Sequence, residues 1–464
     1  MRRSSRLCYR NGAAGALALA AALLVVGGWR LALAREPSAP VPTAAASTQA
    51  AIDAAVRRWV RYPPLPARLS PQAALGKALF FDPTLSASRR MSCASCHSPA
   101  HAYGPPNGLA VQLGGPHRDR PGVRAVPSLR YLDHTPLFGL NEFTPGSEDA
   151  EYEGPTGGFT HDGAAASRAA QAAIPLLSPY EMANPSAAAV VAALREGAQA
   201  KAFAQVFGAD VFRDPARAFA DVGIALQAFQ AEDPSFHPYT SKFDAVISGH
   251  ARFTAQELHG YALFNDPKKG NCASCHIDVP GPGGRPAPFT DYSYEALGVP
   301  RNPAIPANRD PRYYDMGLCG PYRHDLEKLT QYCGMFKTPT LRNVATRRVF
   351  FHNGAFHSLQ AMMQFYVQRD TDPAKWYPLV DGKPQKFDDL PPRYRDNVDR
   401  SDAPMDRARG DQPALNALEI ADVIAFLKTL DDGYSASAGG PAIRAGEAAA
   451  STREDAAAAR AASP

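Results

Sequence analysis

This chain has little excess of positive over negative charge. Its 49 lysines and arginines face 45 aspartates and glutamates, which leaves a formal net charge of +4 over 464 residues. The basic residues form no run and no stripe interleaved with aromatic residues, and this argues against nucleic acid as a partner. After the first 34 residues no apolar stretch is long enough to cross a bilayer, which excludes a polytopic membrane protein.

Strand-like alternation of apolar and polar residues is scarce too, whereas proline and glycine are plentiful, with 43 and 36 residues. These features predict short helices joined by many loops. The hydrophobic fraction of 45% is ordinary for a globular protein, and the length allows two or three domains with a core each.

The N-terminus has the three parts of a secretory signal peptide, residues 1–34. Arginines at positions 2, 3, 6 and 10 precede an apolar stretch at 12–29, and Ala-Leu-Ala at 32–34 forms a small-residue cleavage site. An uncleaved membrane anchor is the alternative, because the apolar stretch is near the lower limit for spanning a bilayer. Either way we expect the bulk of the chain in the periplasm.

The seven cysteines fall into three groups. Cys8 lies in the predicted signal peptide, and four belong to two copies of the pentapeptide CASCH, at 93–97 and 272–276. Cys319 and Cys333 remain, 14 positions apart. In an oxidising compartment we expect them to form a disulfide that closes a loop, with two free thiols as the alternative.

CASCH is part of a longer internal repeat. The frame Gly-x-Ala-Leu-Phe-x-Asp-Pro occupies 76–83 and again 260–267, each time followed by a polar loop and CASCH. The repeat predicts two copies of one domain type, and each frame predicts a short amphipathic helix that ends at its Asp-Pro.

Each half also closes with apolar residues at helical spacing. In 214–230 they are Phe219, Val222, Leu226 and Phe229, and in 413–430 they are Leu415, Leu418, Val423, Ile424, Leu427 and Leu430. We therefore predict two mainly α-helical domains, at 69–248 and 249–434. A linker or arm at 35–68, with one short helix near 52–60, precedes them, and an Ala-rich tail at 435–464 without periodicity is expected to be disordered.

The pattern Cys-x-x-Cys-His allows each thiol to add across a haem vinyl group while the histidine reaches the iron as proximal ligand. The alternative is one zinc site in which the two pairs supply four thiolates. Three features oppose zinc: the pairs are far apart, each is followed directly by a histidine, and each has the same place in its own repeat. The sequence therefore predicts two covalently bound haem c groups, held by Cys93, Cys96 and His97 and by Cys272, Cys275 and His276.

From about residue 70 to residue 432 the chain resembles the bacterial di-haem cytochrome c peroxidase family, including its MauG-type branch. The resemblance rests on "LGKALFFDPTLSASRRMSCASCHSPAHAY", "RAVPSL" and "HDGAAASRAAQAAIPLLSPYEMANP" in the first half and "FKTPTLRNVATRRVFFHNGAFHSLQAMMQFY" in the second. It implies two class-I cytochrome c-like domains packed together, mainly α-helical, each with one haem. The first would be the peroxidatic domain and the second the electron-transfer domain.

In this family a glutamine and, ten positions later, a glutamate line the peroxide pocket over the first haem, and these positions are Gln171 and Glu181. The chemistry agrees, because heterolysis of peroxide needs a group that takes a proton from one oxygen and returns it to the leaving one. The apolar stretch AAIPLLSPYEM around the carboxylate suits that role, although Glu181 taken alone is typical of a solvated surface residue.

The resemblance also bears on the sixth ligand of each iron. In the peroxidases proper a histidine 16 residues after the first CASCH histidine is a ligand, and this position is Leu113. His117 nearby is typical of an exposed loop, so we expect the first haem to be five-coordinate or water-bound. For the second haem, counting fourteen residues on from His352 places Tyr366 where the MauG-type branch has a tyrosine ligand. The rival ligands are Met335, Met362 and Met363, of which the last two are typical of helix packing residues.

Three further positions follow from the resemblance. The tryptophan that the family places between the haems is His161 here, which is a poorer π-relay. The calcium-binding asparagine falls on Ala125, so we expect calcium to be weakly bound or missing. Arg342 matches an arginine near the second haem, where its charge would stabilise a propionate.

The resemblance implies that hydrogen peroxide is reduced at the first haem, with electrons arriving through the second from a periplasmic cytochrome c or cupredoxin. The MauG-type branch implies instead oxidative modification of a protein substrate by long-range electron transfer. A non-enzymatic electron carrier is the third alternative, which Gln171 and Glu181 oppose. The acidic segment 137–158 offers a surface to a basic partner, although a solvated loop is the simpler interpretation.

Overall fold

The computed structural model describes residues 60–64, 66–141 and 154–435. The predicted signal peptide, most of the linker with its short helix, the acidic residues of 142–153 and the Ala-rich tail beyond 435 lie outside the described residues. Within the described ranges, no helix is long and apolar enough to cross a membrane.

Helices dominate the regular structure, as the periodicity predicts. In the described part of the chain the α-helices are α1 (Pro71–Phe80), α2 (Arg168–Leu177), α3 (Ala187–Glu196), α4 (Ala200–Phe207), α5 (Pro215–Glu232), α6 (Lys242–Ile247), α7 (Ala255–Asn265), α8 (Leu359–Gln368) and α9 (Ala417–Lys428). The strands form short antiparallel pairs, which are β1 (Leu113–Gly114) with β2 (Arg120–Pro121), β3 (Gly139–Asn141) with β4 (Gly154–Thr156), β5 (Tyr294–Glu295) with β6 (Phe336–Lys337), and β7 (Leu379–Val380) with β8 (Lys383–Pro384).

The four helices expected from the repeat and from the closing patterns all form, because each has local start and stop signals. Helix α1 is capped by Ser70 and α5 by Asp214, and both have proline at the first position. Helices α7 and α9 begin with capping boxes, in which a glutamate returns a hydrogen bond to the cap residue. Helices α1 and α7 end just before their Asp-Pro dipeptides, as predicted.

Each half has its own hydrophobic core. Helix α1 packs across α5 in the first half, and α7 packs across α9 in the second, so the repeated frame meets the closing helix in both. Two such cores are what a duplicated domain type requires. The boundary at residues 248 and 249 remains a prediction.

The prediction for α9 was wrong at one residue. Leu418 is 78% exposed, whereas Ile420 and Val423 are buried. Leu418 lies two positions before Ile420, which places it about 200° around the helix axis and therefore on the outer face.

The repeated glycine of the frame is explained by the helix crossings. A Cβ at Gly76 would overlap the carbonyl oxygen of Ala225 in α5, and a Cβ at Gly260 would overlap the carbonyl oxygen of Asp422 in α9. We expect Gly76→Ala and Gly260→Ala each to lower the free energy of unfolding by about 1–3 kcal/mol, the usual effect of overpacking, or more if the backbones cannot separate. Urea unfolding followed by circular dichroism measures this. Gly410→Ala is the control. A Cβ at Gly410 would meet no atom within 4 Å, but its backbone has a positive φ of 89°, which the two crossing glycines do not have. The stability of this variant therefore reports the effect of backbone strain without loss of packing. A Gly76→Ala variant no less stable than wild type would contradict the prediction.

The remaining cysteines confirm another prediction. Cys319 and Cys333 form a disulfide, and both are buried. The loop between them carries Tyr322, which lines a cavity of the protein.

Candidate functional site

One cavity of about 540 Å³ reaches both copies of CASCH. The motifs begin with the 3-10 turns Cys93–Ser95 and Cys272–Ser274. Their thiols do not converge, because Cys93 packs against the core of the first half and Cys272 against the core of the second. Across the described ranges, no three His, Cys, Asp or Glu side chains are grouped so that they could hold a metal ion. This geometry opposes a zinc site shared by the two motifs. It favours a separate attachment site at each motif.

The two CASCH histidines have matching surroundings. The Nδ1 atom of His97 lies 3.0 Å from the carbonyl oxygen of Tyr103, and that of His276 lies 3.0 Å from the carbonyl oxygen of Phe289. Burial lowers the pKa of both rings to about 4, so both are neutral at pH 7. Because a carbonyl only accepts, each Nδ1 must carry the proton, and each Nε2 lone pair is left for a metal.

Gln171 and Glu181 lie on the cavity wall beside His97. Gln171 projects from α2, and Glu181 follows in a turn held by a hydrogen bond from its N–H to the carbonyl oxygen of Ser178 at 3.0 Å. Glu181 is exposed by accessible surface, but it lines the cavity and is closely surrounded by protein atoms. Desolvation by these atoms raises the pKa of its carboxyl, while a hydrogen bond with Ser178 partly opposes the rise.

Leu113, which the resemblance aligns with a ligand histidine of the peroxidases, lies near this same turn. Leu113, in β1, is 45% exposed and lines the cavity, and the nearby Gly115 N–H donates to the carbonyl oxygen of Glu181 at 2.8 Å. His117 is exposed and is not part of the cavity wall. Leu113, an apolar side chain that cannot coordinate iron, therefore lies near Glu181 on the cavity wall.

Tyr366 lies on α8, on the cavity wall near the second CASCH. Burial raises the pKa of its phenol, and the neighbouring thiols of Cys275 and Cys272 raise it further. Met362 and Met363 are buried in the second core and also touch the cavity. Met335 packs in a separate small cluster away from the wall.

Arg342 is buried and already has an anionic partner. Its NH1 and NH2 groups donate to the two carboxylate oxygens of Asp244 at 2.9 and 3.1 Å, and its Nε donates to the carbonyl oxygen of Ala287. The rings of Tyr131 and Tyr239 each lie 4.9 Å from the guanidinium carbon. Asp244 neutralises the charge of this arginine. Its predicted interaction with a propionate would therefore be a hydrogen bond from one of the N–H groups that make no bond to Asp244 or Ala287.

The space between the two CASCH motifs holds His161 and a buried ion cluster. The Nε2 atom of His161 lies 2.8 Å from the carbonyl oxygen of Ala125, and burial together with the nearby Arg124 lowers its pKa to about 4. Arg124 donates to Asp162 at 2.7 Å and to both oxygens of Asp315 at 2.6 and 2.8 Å. Next to Ala125 the chain thus carries a buried guanidinium that is paired with two carboxylates.

Two features of the wall were missed by sequence reasoning. Arg347 donates to the carbonyl oxygens of Val126 and Val349, and among the described residues no carboxylate pairs with it. Burial lowers its pKa to about 10. The rings of Phe336 and His352 stack with centroids 3.6 Å apart. Both features lie within residues 336–366, a segment that carries the family resemblance. The sequence of this segment does not indicate that Arg347 is buried or that the two rings stack.

The sequence profile of the di-haem cytochrome c peroxidases matches residues 70–252. The methylamine utilization protein MauG of Paracoccus denitrificans is 37% identical to this chain over 301 residues, which cover 63% of this chain and 73% of MauG. The chain belongs to the di-haem cytochrome c peroxidase family. The cytochrome c peroxidase Ccp of Escherichia coli is 29% identical over 310 residues, covering 66% of this chain and 55% of Ccp. The crystal structure of the di-haem peroxidase BthA from Burkholderia thailandensis superposes with a TM-score of 0.71 at 41% identity, covering 79% of this chain and 87% of BthA.

Membership of the di-haem peroxidase family makes the protein an oxidoreductase and implies haem c cofactors. The residues present fit two such groups. Cys272, Cys275 and His276 line the cavity, as do Cys96 and His97, whereas Cys93 lines a small pocket that shares Cys96 and His97 with it. Both histidines are neutral, and Arg347 offers an unpaired positive charge to an anionic propionate near His97. Cys93, Cys96 and His97 would hold one haem and Cys272, Cys275 and His276 the other, and this assignment remains the prediction made from the sequence.

Proposed function

We propose that this di-haem peroxidase reduces hydrogen peroxide beside His97, with electrons delivered past His276 from a small redox protein. The observation that carries the proposal is the position of Gln171 and Glu181 on the cavity wall beside His97. The predicted signal peptide and the need for export in c-type attachment support a periplasmic location. The donor we propose is a periplasmic cytochrome c or cupredoxin.

The haem attached at His97 would supply the iron at which peroxide is bound and reduced. Glu181 takes the proton from one peroxide oxygen and returns it to the other, so that the departing oxygen leaves as water. The Gln171 amide donates a hydrogen bond that orients the peroxide. Two electrons and two further protons complete the conversion of H2O2 to two molecules of water.

The pH dependence of this reaction should reflect Glu181. Since only the carboxylate can accept the peroxide proton, kcat/KM should fall as the pH drops through the pKa of this group. Burial raises that pKa above its ordinary value of 4.5, so the acidic limb should lie above pH 4.5. A stopped-flow pH profile of peroxide reactivity measures the limb. The same limb in a Glu181→Gln protein would assign it to another group.

The second candidate function is oxidative modification of a protein substrate, and two observations favour it. Tyr366, rather than a methionine, lies at the predicted ligand position beside the second CASCH, and MauG is among the relatives. Steady-state oxidation of reduced cytochrome c by peroxide separates the two functions. Rapid turnover supports the peroxidase, whereas peroxide reactivity without cytochrome c oxidation favours the second candidate.

Tyr366 itself is open to a spectroscopic test. The oxidised wild-type protein should lack the near-infrared methionine–haem charge-transfer band, because Tyr366 rather than a methionine would be the residue that holds the second haem iron. Tyr366→Met should introduce the band, and Leu359→Met, at the start of the same helix, is the control that should not. A band already present in wild type would assign the ligand to Met362 or Met363 instead.

A further inference from the structure

The loop closed by the Cys319–Cys333 disulfide brings a tyrosine to the cavity. Arg323 in this loop donates from NH1 to the carbonyl oxygen of Asp162 at 2.8 Å, and its guanidinium carbon lies 3.8 Å from the centroid of the Phe138 ring. The loop is thus tied at its base by the disulfide and along its length by Arg323. Tyr322 directly precedes Arg323, so the disulfide and the Arg323 contacts both restrain its position.

Tyr322 touches solvent and the cavity at once. Its side chain is 39% exposed, and it also forms part of the wall of the cavity that reaches both CASCH motifs. Its hydroxyl lies 2.8 Å from the hydroxyl of Tyr313, within hydrogen-bonding distance.

From Tyr322 a row of side chains leads inward. The guanidinium carbon of Arg124 lies 5.0 Å from the centroid of the Tyr322 ring and 5.5 Å from that of Phe336, so both rings pack against the same cation. Phe336 in turn stacks on His352 with an interplanar angle of 7°. Asp162 and Asp315 hold Arg124 in place. All four members of the row line the cavity between the CASCH motifs, and we call them the Tyr322 row.

We propose that Tyr322 is a redox-active residue through which a small aromatic reductant in solution delivers electrons to the cavity without passing the second CASCH. The inference rests on the proposed reduction of peroxide beside His97. Each H2O2 accepts two electrons and two protons to give two waters. The Tyr322 phenol supplies one of these electrons through the Tyr322 row, and its O–H bond breaks, leaving a neutral phenoxyl radical. One electron and one proton from the reductant restore the phenol, and a second round of the same cycle supplies the other electron that each H2O2 accepts.

The hydrogen bond to Tyr313 suits this role. A phenoxyl oxygen has no proton to donate, so in the oxidised state Tyr313 must be the donor, and this contact stabilises the radical. The released proton passes to water, because Tyr322 is exposed on its other side.

The test uses the full haem-loaded protein and hydroquinone as the probe. After one equivalent of H2O2 without reductant, freeze-quench EPR should show a tyrosyl radical, and peptide mass spectrometry after spin trapping should find the adduct at position 322. Tyr322→Phe should abolish both and slow hydroquinone oxidation by about tenfold or more. Tyr313→Phe should shorten the life of the radical. Tyr394→Phe, whose ring is not part of the cavity wall, is the control that should retain radical, adduct and rate.

The outcomes separate the two proposals. If Tyr322→Phe consumes peroxide with an unchanged radical signal and an unchanged hydroquinone rate, the role of Tyr322 is overturned and the proposed function is left intact. A wild-type protein that does not react with peroxide would overturn both.

Discussion

Replacing Glu181 by glutamine is expected to lower kcat/KM for H2O2 by about 10²–10⁴-fold, the usual contribution of a positioned general base. Glutamine keeps the size of the side chain and its hydrogen-bonding capacity, but it cannot accept the peroxide proton at neutral pH. The turn that holds the residue depends on backbone hydrogen bonds, which the substitution leaves unchanged. Stopped-flow mixing of the oxidised, haem-loaded protein with peroxide gives the rate constant.

Glu196→Gln is the matched control for this experiment. Glu196 is the last residue of α3, is exposed, and is not part of the cavity wall, so its substitution should leave the rate unchanged. Haem content measured by mass spectrometry and thermal unfolding should be the same in both variants. A Glu181→Gln protein with intact haems and full peroxide reactivity would remove Glu181 from the proposed mechanism.

Replacing Arg342 by methionine is expected to lower the free energy of unfolding by about 3–5 kcal/mol, because it leaves the Asp244 carboxylate buried without its counter-charge. The two side chains are only 1% and 3% exposed, so water cannot replace the lost partner. After the substitution, Asp244 would retain the hydrogen bonds from the hydroxyl and N–H of Ser241. Urea unfolding of the haem-loaded protein measures the change.

Two further variants serve as controls for the stability of Arg342→Met. Arg342→Met combined with Asp244→Leu should recover much of the loss, since the unpaired charge is then gone. Arg312→Met removes an arginine whose pair with Asp310 is at the surface, and it should leave stability unchanged. If Arg342→Met unfolds like wild type but alters the spectrum of the second haem, the residue serves a propionate rather than the fold.

The helices and the attachment motifs were predictable because their signals are local. A capping serine, an Asp-Pro stop and a three-to-four spacing act within one helix, and Cys-x-x-Cys-His places all its ligands within five residues. The pairing of Cys319 with Cys333 was predictable by elimination, because the chain was expected to be exported to an oxidising compartment. Leu418 shows the limit of periodicity, since an apolar residue that fits a spacing count can still face solvent.

The contacts between distant segments were not predictable. Arg124 and Asp315 are 191 positions apart, and nothing near either residue indicates that they pair. The stacking of Phe336 on His352, the burial of Arg347 without a carboxylate and the approach of Tyr322 to Arg124 are of the same kind. Each depends on how loops pack in the folded chain, and a single sequence carries no record of such packing.

The sequence by itself determined the mainly helical, duplicated units and predicted where two haems would attach to them, because covalent attachment and helical periodicity depend on residues close together in the chain. Only the tertiary structure decided what surrounds those haems. It placed Glu181 where desolvation raises its pKa, paired Arg342 with Asp244, and brought Tyr322 from a disulfide-closed loop to the cavity wall. Burial, charge pairing and ring stacking arise from atoms brought together by folding, and these interactions distinguish two sites that begin from the same five residues.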